Sequence, residues 1–250
     1  MRRVMVVAAF LMVAAAVAAA AELTETFDQI YPLAAGGRIG LENINGDVTV
    51  EVWDRDEVRV YAIKRASSPA RLAGLRIEVD ASGDRVFVDT DYPSSRDLAD
   101  DDRHGHSEVE YALTVPRFAI LDEIELVNGD LLVDGVQGGV EVDSVNGEVV
   151  LRDVAGELEI ETVNGDIELD LAASPPAPVD LSSVNGTIDV RLAGSAEIVA
   201  ETVNGRISND FGIEVKKGKY VGSSMRGLVG GGGTAIELET VNGGISVGPR

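Results

Sequence analysis

The chain has no cysteine among its 250 residues. Disulfides are excluded, and stability must come from packing alone. No thiol is present for catalysis or for lipid attachment behind a leader. Histidine is nearly as scarce: His104 and His106 are the two present, and they share one short loop. No His-Glu-x-x-His pair occurs, and the Gly-x-Ser-x-Gly match at Gly244–Gly248 falls in an alternating strand pattern with no helix-length segment after it, so the sequence offers no support for zinc-protease or serine-hydrolase chemistry. Basic residues are in deficit, 21 against 43 acids, for a formal net charge of −22. That sign argues against nucleic acid or an anionic membrane as partner and leaves cations and cationic partners open. After residue 21 no apolar run is long enough to cross a membrane as a helix.

What is present begins with an export signal. Arg2 and Arg3 precede the apolar run "VMVVAAFLMVAAAVAAA", whose Ala-rich end offers small residues for cleavage near Ala20 or Ala21. The run is weak in Leu and Ile, and no basic stop-transfer flank follows, which disfavours a membrane anchor. Residues 1–21 are therefore expected to be removed, leaving an extracytoplasmic chain (periplasmic, cell-surface or secreted) even more acidic by the loss of two arginines.

The chain then repeats itself. Asn-Gly pairs stand at Asn45, Asn128, Asn146, Asn164, Asn185, Asn204 and Asn242, and from Asn128 onward the steps are 18, 18, 21, 19 and 38 residues. The 21-residue step holds the insertion "SPPAP", and the 38-residue step reads as two periods with a degenerate copy near "GSSMRG". A fixed period with insertions at one phase marks a repeat architecture. Within a copy, Val140, Val142 and Ser144 alternate with Glu141 and Asp143, and Val149 and Leu151 follow the Asn-Gly. Period two means strands with one buried face. The phase break from Leu151 to Val154 means a corner.

Two architectures fit. Asn-Gly favours a two-residue hairpin, hence an antiparallel meander or small barrel. The alternative stacks each copy on the last as one coil of a β-solenoid. The phrase recurs in identical phase, Ser/Thr-Val-Asn-Gly in most copies, and this favours the solenoid: equivalent residues would form columns. Asn128, Asn146, Asn164, Asn185, Asn204 and Asn242 would then form a corner ladder of side-chain amides, as in other stacked-strand assemblies. One coil alone buries too little to offset the entropy of ordering it, so only burial shared between neighbours makes the array stable.

Residues 37–52, "GRIGLENINGDVTVEV", read as a first coil. The gap before Asn128 holds "EVRVYAIKRA", "LRIEVDASGDRVFVDTDY" and "SEVEYALTVP", read as an antiparallel β elaboration inserted after that coil and capping the stack. The expected division is therefore a signal peptide over 1–21, an N-terminal β region over 22–118, and β-solenoid repeats over 119–250. The last copy, "ELETVNGGISVGPR", is expected to end the stack without a cap. Self-association through this C-terminal coil follows as a possibility.

The segments "INGDVTVEVWDRDEVRV", "YALTVP", the "VNGD"-type repeats and "GGGGTAIELETVNGGISV" together resemble the DUF4097 family of β-strand-repeat proteins, members of which are labelled adhesins. The resemblance covers nearly the whole mature chain. It implies an exported bacterial β-repeat protein, with some relatives tied to envelope stress, and it brings no catalytic residues.

Few polar clusters stand out. "DLADDDRHGH" gathers Asp100, Asp101, Asp102, His104 and His106, residue types that ligate Zn²⁺ or Ca²⁺, but in a spacing that matches no defined site. A solvated loop is the plainer reading. "GLVGGGG" lacks the Lys-Ser/Thr ending of a phosphate loop and reads as a connection. "VKKGKY" places Lys216, Lys217 and Lys219 together on an outward face, and Trp53 falls out of phase with Val48, Val50 and Val52. The expectation is an all-β, single-chain β-solenoid acting as a non-enzymatic, cofactor-free scaffold or adhesin-like module of the bacterial cell envelope. An envelope protein, glycan or cationic peptide is its conceivable partner. The alternatives are an envelope-stress regulator binding a protein or cationic peptide and, less favoured, a polysaccharide-active enzyme.

Overall fold

The computed structural model describes residues 22–250 apart from 95, 97 and 103. The proposed export signal lies outside the described residues. The chain folds as two facing sheets, and a coil contributes one strand to each. In the coil from Val140, strand Val140–Asn146 buries Val140, Val142 and Ser144, the chain turns at Asn146-Gly147, and strand Val149–Arg152 buries Val149 and Leu151. A second corner buries Val154. Period-two alternation thus places every second side chain in one shared interior.

Successive coils pair in parallel and in register. Val140 lies beside Leu158, and Leu158 beside Val179, while Val149 lies beside Ile167, and Ile167 beside Ile188. The first coil, Arg38–Asn45 and Val48–Trp53, stacks directly on Ile120–Asn128 and Leu131–Asp134, so the equivalents of one repeat are 83 residues apart in sequence there. A bulge breaks the otherwise even register at Asp122 and Glu123: Ile39 and Leu41 face Leu121 and Ile124, and Glu123 has a φ of 65°. The extra residue pushes both acids to the surface, where Arg38 pairs with Asp122 and Arg85 with Glu123.

Both ends of the stack are closed by other strands. At the N-terminal end Glu57–Ala66 pairs antiparallel with Leu23–Pro32 on one edge and Ser107–Pro116 on the other, and Arg76–Ser82 pairs antiparallel with Arg85–Asp91. The junctions to the first coil are parallel: Ser107–Pro116 on Val48–Trp53 and Arg85–Asp91 on Arg38–Asn45. This end carries the polar part of the interior. Buried Asn43 donates to the carbonyls of Asn45, Gly46 and Val109 and accepts from the Tyr92 hydroxyl at 2.8 Å. Burial raises the Tyr92 phenol to about 12 and pushes the Tyr111 phenol above its ordinary range.

The other end departs from two expectations. The segment around "GSSMRG" is not a degenerate coil but strand Ser223–Val229, which folds back antiparallel on Ala196–Thr202 and carries Val215–Lys217 beyond it. Nor does the last copy end the stack. Strand Ala235–Asn242 enters between Val179–Asn185 and Ala196–Thr202, parallel to both, and Ile245–Pro249 enters between Ile188–Leu192 and Ile207–Asn209. The reason lies in the hairpin. Once Ser223–Val229 turns back on the strand from Ala196, the chain re-enters on that strand's other edge.

Candidate functional site

The corner made by Asn-Gly dictates the most regular surface of the molecule. The asparagine amides form one chain of hydrogen bonds. Nδ2 of Asn128 donates to Oδ1 of Asn45 at 2.9 Å, Asn146 to Asn128 at 2.9 Å, Asn164 to Asn146 at 3.0 Å and Asn185 to Asn164 at 2.8 Å. Asn242 then donates to Asn185 at 2.8 Å and Asn204 to Asn242 at 3.0 Å. The six asparagines expected to form the ladder do so, joined by Asn45. Their order in space exchanges Asn242 and Asn204. The adjoining glycines are equally constrained: a Cβ on Gly147, Gly165 or Gly186 would overlap the carbonyl of the preceding rung's glycine.

The hydroxyl column sits inside the corner. Ser183 donates to the Gly165 carbonyl at 3.1 Å, Thr240 to Gly186 at 3.1 Å and Thr202 to Gly243 at 3.0 Å. The corner carboxylates bind backbone of the next rung: Asp47 accepts from Asp130 N at 2.9 Å, Asp130 from Glu148 N at 2.8 Å and Asp166 from Thr187 N at 2.6 Å.

Between hydroxyl and amide lies a residue that alternation turns outward. Ile44, Val127, Val145, Val163, Val184, Val241 and Val203 form a column in which each is 38–47% exposed. Two residues back on the same face runs a column of acids: Glu42, Glu125, Asp143, Glu161, Glu239 and Glu201, interrupted by Ser182. A further two back are Glu141, Glu159, Asp180 and Glu237. Neighbouring rungs are about 4.8 Å apart, so like charges stack at that spacing. The column of aliphatic side chains is thus flanked by acids on one side and by the amide ladder with Asp47, Asp130, Glu148 and Asp166 on the other. The phase of Glu141, Asp143 and Val145 signals this outward column, but the repeat motif was read only for its asparagine and hydroxyl.

The electrostatics follow. Partial burial, then Glu125, Asp89 and Glu123, hold the Glu42 carboxyl above its ordinary value. Burial followed by Glu159 and other acids does the same for Glu141, and burial followed by Glu168 for Glu148. Glu42, Glu123 and Glu125 bring carboxylate oxygens within 4.8 Å of one another, though Glu123 is ion-paired to Arg85.

Two hollows run along the aliphatic column. One, of about 300 Å³, is lined by Glu125, Asp143, Glu161, Val127, Val145 and Val163. The other, of about 480 Å³, lies among Val184, Val203, Val241, Glu201 and Glu239 and is walled by Gly218, Val221 and Gly222. Both include Ser182 and Val184, so they form one groove.

The Asp/His loop, whose plainer reading is a solvated loop, lies elsewhere, at the N-terminal end. Asp100–Asp102 form a 3-10 turn whose Asp102 carbonyl accepts from Arg71 Nε at 2.6 Å. His104 is exposed, and His106 Nε2 meets Glu22 at 2.7 Å. The Asp101 side chain lies outside what the structure describes. Among the described residues it is Glu42, Glu123 and Glu125, not this loop, that gather three potential ligands. Trp53 is half-buried, donates to the Glu57 carbonyl at 2.6 Å and carries Arg55 over its ring at 4.8 Å.

Comparison with known proteins accords with this architecture. The family model described as Toastrack DUF4097 matches residues 40–248. No curated protein matches the chain. A solved Clostridium sporogenes protein named for cell adhesion is 12% identical, with a TM-score of 0.50, covering 90% of this chain and 100% of its own. A Bacteroides fragilis protein named as an adhesin is 14% identical with a TM-score of 0.41, covering 90% and 97%. A Parabacteroides distasonis protein named for lipid binding is 10% identical with a TM-score of 0.31, covering 90% and 96%. Among the described residues, no helix is long and apolar enough to cross a membrane.

Proposed function

This chain belongs to the Toastrack DUF4097 family, and on that premise we propose that it is a non-enzymatic scaffold of the bacterial cell envelope, working outside the cytoplasm by displaying columns of identical side chains to a partner. The observation that supports this most is the outward aliphatic column backed by a continuous amide ladder. Rigid, in-register rungs fix the display, so the entropy of ordering a binding surface is met during folding rather than on association. The names of the similar structures, for adhesion and lipid binding, agree with a display role without specifying one. The acid columns favour a second reading of the same surface, a regulator that engages a cationic protein or peptide.

The test is location and loss. Fractionation and protease shaving of intact cells should find the chain outside the cytoplasm, and its deletion should change adhesion or envelope integrity. A cytoplasmic chain whose deletion leaves both unchanged overturns the proposal.

A further inference from the structure

The groove on the corner face has a definite chemistry. Its aliphatic column runs through Val127, Val145, Val163 and Val184 to Val241 and Val203, all exposed, with Gly218, Val221 and Gly222 walling the far end. Acids line one flank of it: Glu125, Asp143 and Glu161, then Glu239 and Glu201 further along. We infer that this groove is the docking site for a cationic amphipathic α-helix of a partner protein, lying along the column with its apolar stripe on the valines and its Lys or Arg side chains over the flanking carboxylates. The inference rests on the display reading above and names the surface and the chemistry of the occupant.

Three observations select that occupant. The first is charge complementarity: a row of acids runs beside an apolar stripe, so basic groups are wanted along that edge of an apolar ligand face, and a purely ionic or purely apolar ligand would use only half of the surface. The second is period. Rungs recur at about 4.8 Å and helix turns at about 5.4 Å. The mismatch of about 0.6 Å per turn accumulates to roughly 2–3 Å over four turns, within the reach of flexible basic side chains. An extended segment along the same line presents side chains about 6.8 Å apart and loses register within two or three rungs. The third is length. Five intervals between the six rungs from Val127 to Val203 span about 24 Å, which corresponds to roughly 16 helical residues.

The chain supplies a counterpart to this chemistry at the far end. Lys216, Lys217 and Lys219 cluster on the segment that walls the groove, and Lys216 lies in the lateral row that runs through Ser224 to Glu201 and the acid column. A cationic stretch bearing apolar Val221 walls the groove beside Val203 and Val241.

The test uses the mature chain and three synthetic helices of about 16 residues, followed by fluorescence anisotropy: one with a Leu stripe and Lys flanks, one with the same composition scrambled, and one with Glu in place of Lys. The first should bind, at least tenfold tighter than the second, and the third should not bind. The double variant Val145→Ser, Val163→Ser and the triple variant Glu125→Gln, Asp143→Asn, Glu161→Gln should each weaken the first peptide at least tenfold. All these side chains are exposed, and unchanged circular dichroism would verify the fold. Equal binding of the scrambled helix, or full binding by the Val145→Ser, Val163→Ser variant, overturns the inference. If it fails while the chain is still found outside the cytoplasm with an envelope phenotype, the scaffold reading stands and only this occupant is wrong.

Discussion

Asn242 donates its side-chain amide to Asn185 at 2.8 Å across 57 residues of sequence, while Asn204, nearer to Asn185 in the chain, stands one rung further out. The C-terminal copy is therefore a wedge, not an end. It is held by buried Ile236, Leu238, Ile245 and Val247 and by Arg250, which reaches Asp153 at 2.6 Å and Asp170 at 2.9 Å. Removing the Leu238 side chain leaves a cavity between two coils and should cost about 2–5 kcal/mol in denaturant melts. In a one-dimensional array such damage stays local. Hydrogen exchange in Leu238→Ala should accelerate over residues 196–229 before it changes over 140–171; uniform acceleration would contradict the wedge.

Asn164 donates to Asn146 and accepts from Asn185. In Asn164→Asp the carboxylate still accepts from Asn185 but faces the Asn146 oxygen without a proton. The loss should be about 1–3 kcal/mol at neutral pH. Because the ionised form is the one penalised, the cost should shrink on acidification, when a protonated carboxyl can donate again. Asn164→Ala, which removes both bonds without adding charge, should show a pH-independent loss. Equal pH profiles for the two variants would dismiss the ladder as an energetic feature.

Asn-Gly is the dipeptide most prone to deamidation, because the glycine nitrogen attacks the asparagine side-chain carbonyl. Here the attacking nitrogens of Gly129 and Gly147 donate to the Asn146 and Asn164 carbonyls at 3.1 and 3.3 Å, and the attacked amides are bound within the ladder. Peptide mapping after mildly alkaline incubation should find Asn128 and Asn146 intact in the native chain and converted in urea. Asn204, at the ladder's end, should convert first among the native sites. Native conversion of Asn146 as fast as in urea would mean that the ladder is not closed in solution.

The coil was legible because alternation at Val140, Val142 and Ser144 and the constant phase of Asn-Gly report a repeated corner. The competing hairpin reading fails on backbone conformation. A type I′ turn needs φ > 0 at both central residues, yet among the described residues positive φ occurs at Gly46, Gly129 and Gly147 and not at the preceding asparagines. Their asparagines are there for the amide ladder instead. What the sequence could not reveal is spatial order. Nothing in "GSSMRG" separates a worn coil from a returning strand, because both alternate, and the resulting exchange of the last two rungs depends on tertiary pairing alone. The candidate groove is half legible: alternation with Val140, Val142 and Ser144 puts Glu141 and Asp143 outward, whereas an aliphatic residue such as Val145 next to a corner carries no sign of its own that it is exposed. The Asp/His loop stands out in sequence by residue type alone; among the described residues its side chains form no three-ligand cluster, and His106 meets Glu22 instead.

Stacked carboxylates make stability depend on pH. Burial and neighbouring acids hold Glu42, Glu141 and Glu148 above the ordinary glutamate value of 4.5. A carboxyl with a raised folded-state pKa binds protons more readily folded than unfolded, so its stabilising contribution is fully present below 4.5 and is lost as pH rises through the raised value. Asp28 acts in the opposite sense: its hydrogen bond to Arg59 holds it below 3.8, so its contribution is present above that value and is lost on further acidification. The melting temperature should therefore rise as pH falls from neutral through the range just above 4.5, and turn down only once paired acids such as Asp28 take up protons. Because the raised groups are largely solvent-exposed, salt should screen the effect, and the same scan in about 0.5 M NaCl should be flatter. A melting temperature that falls steadily over that same range at low salt would show that the acid columns are too well solvated to repel one another.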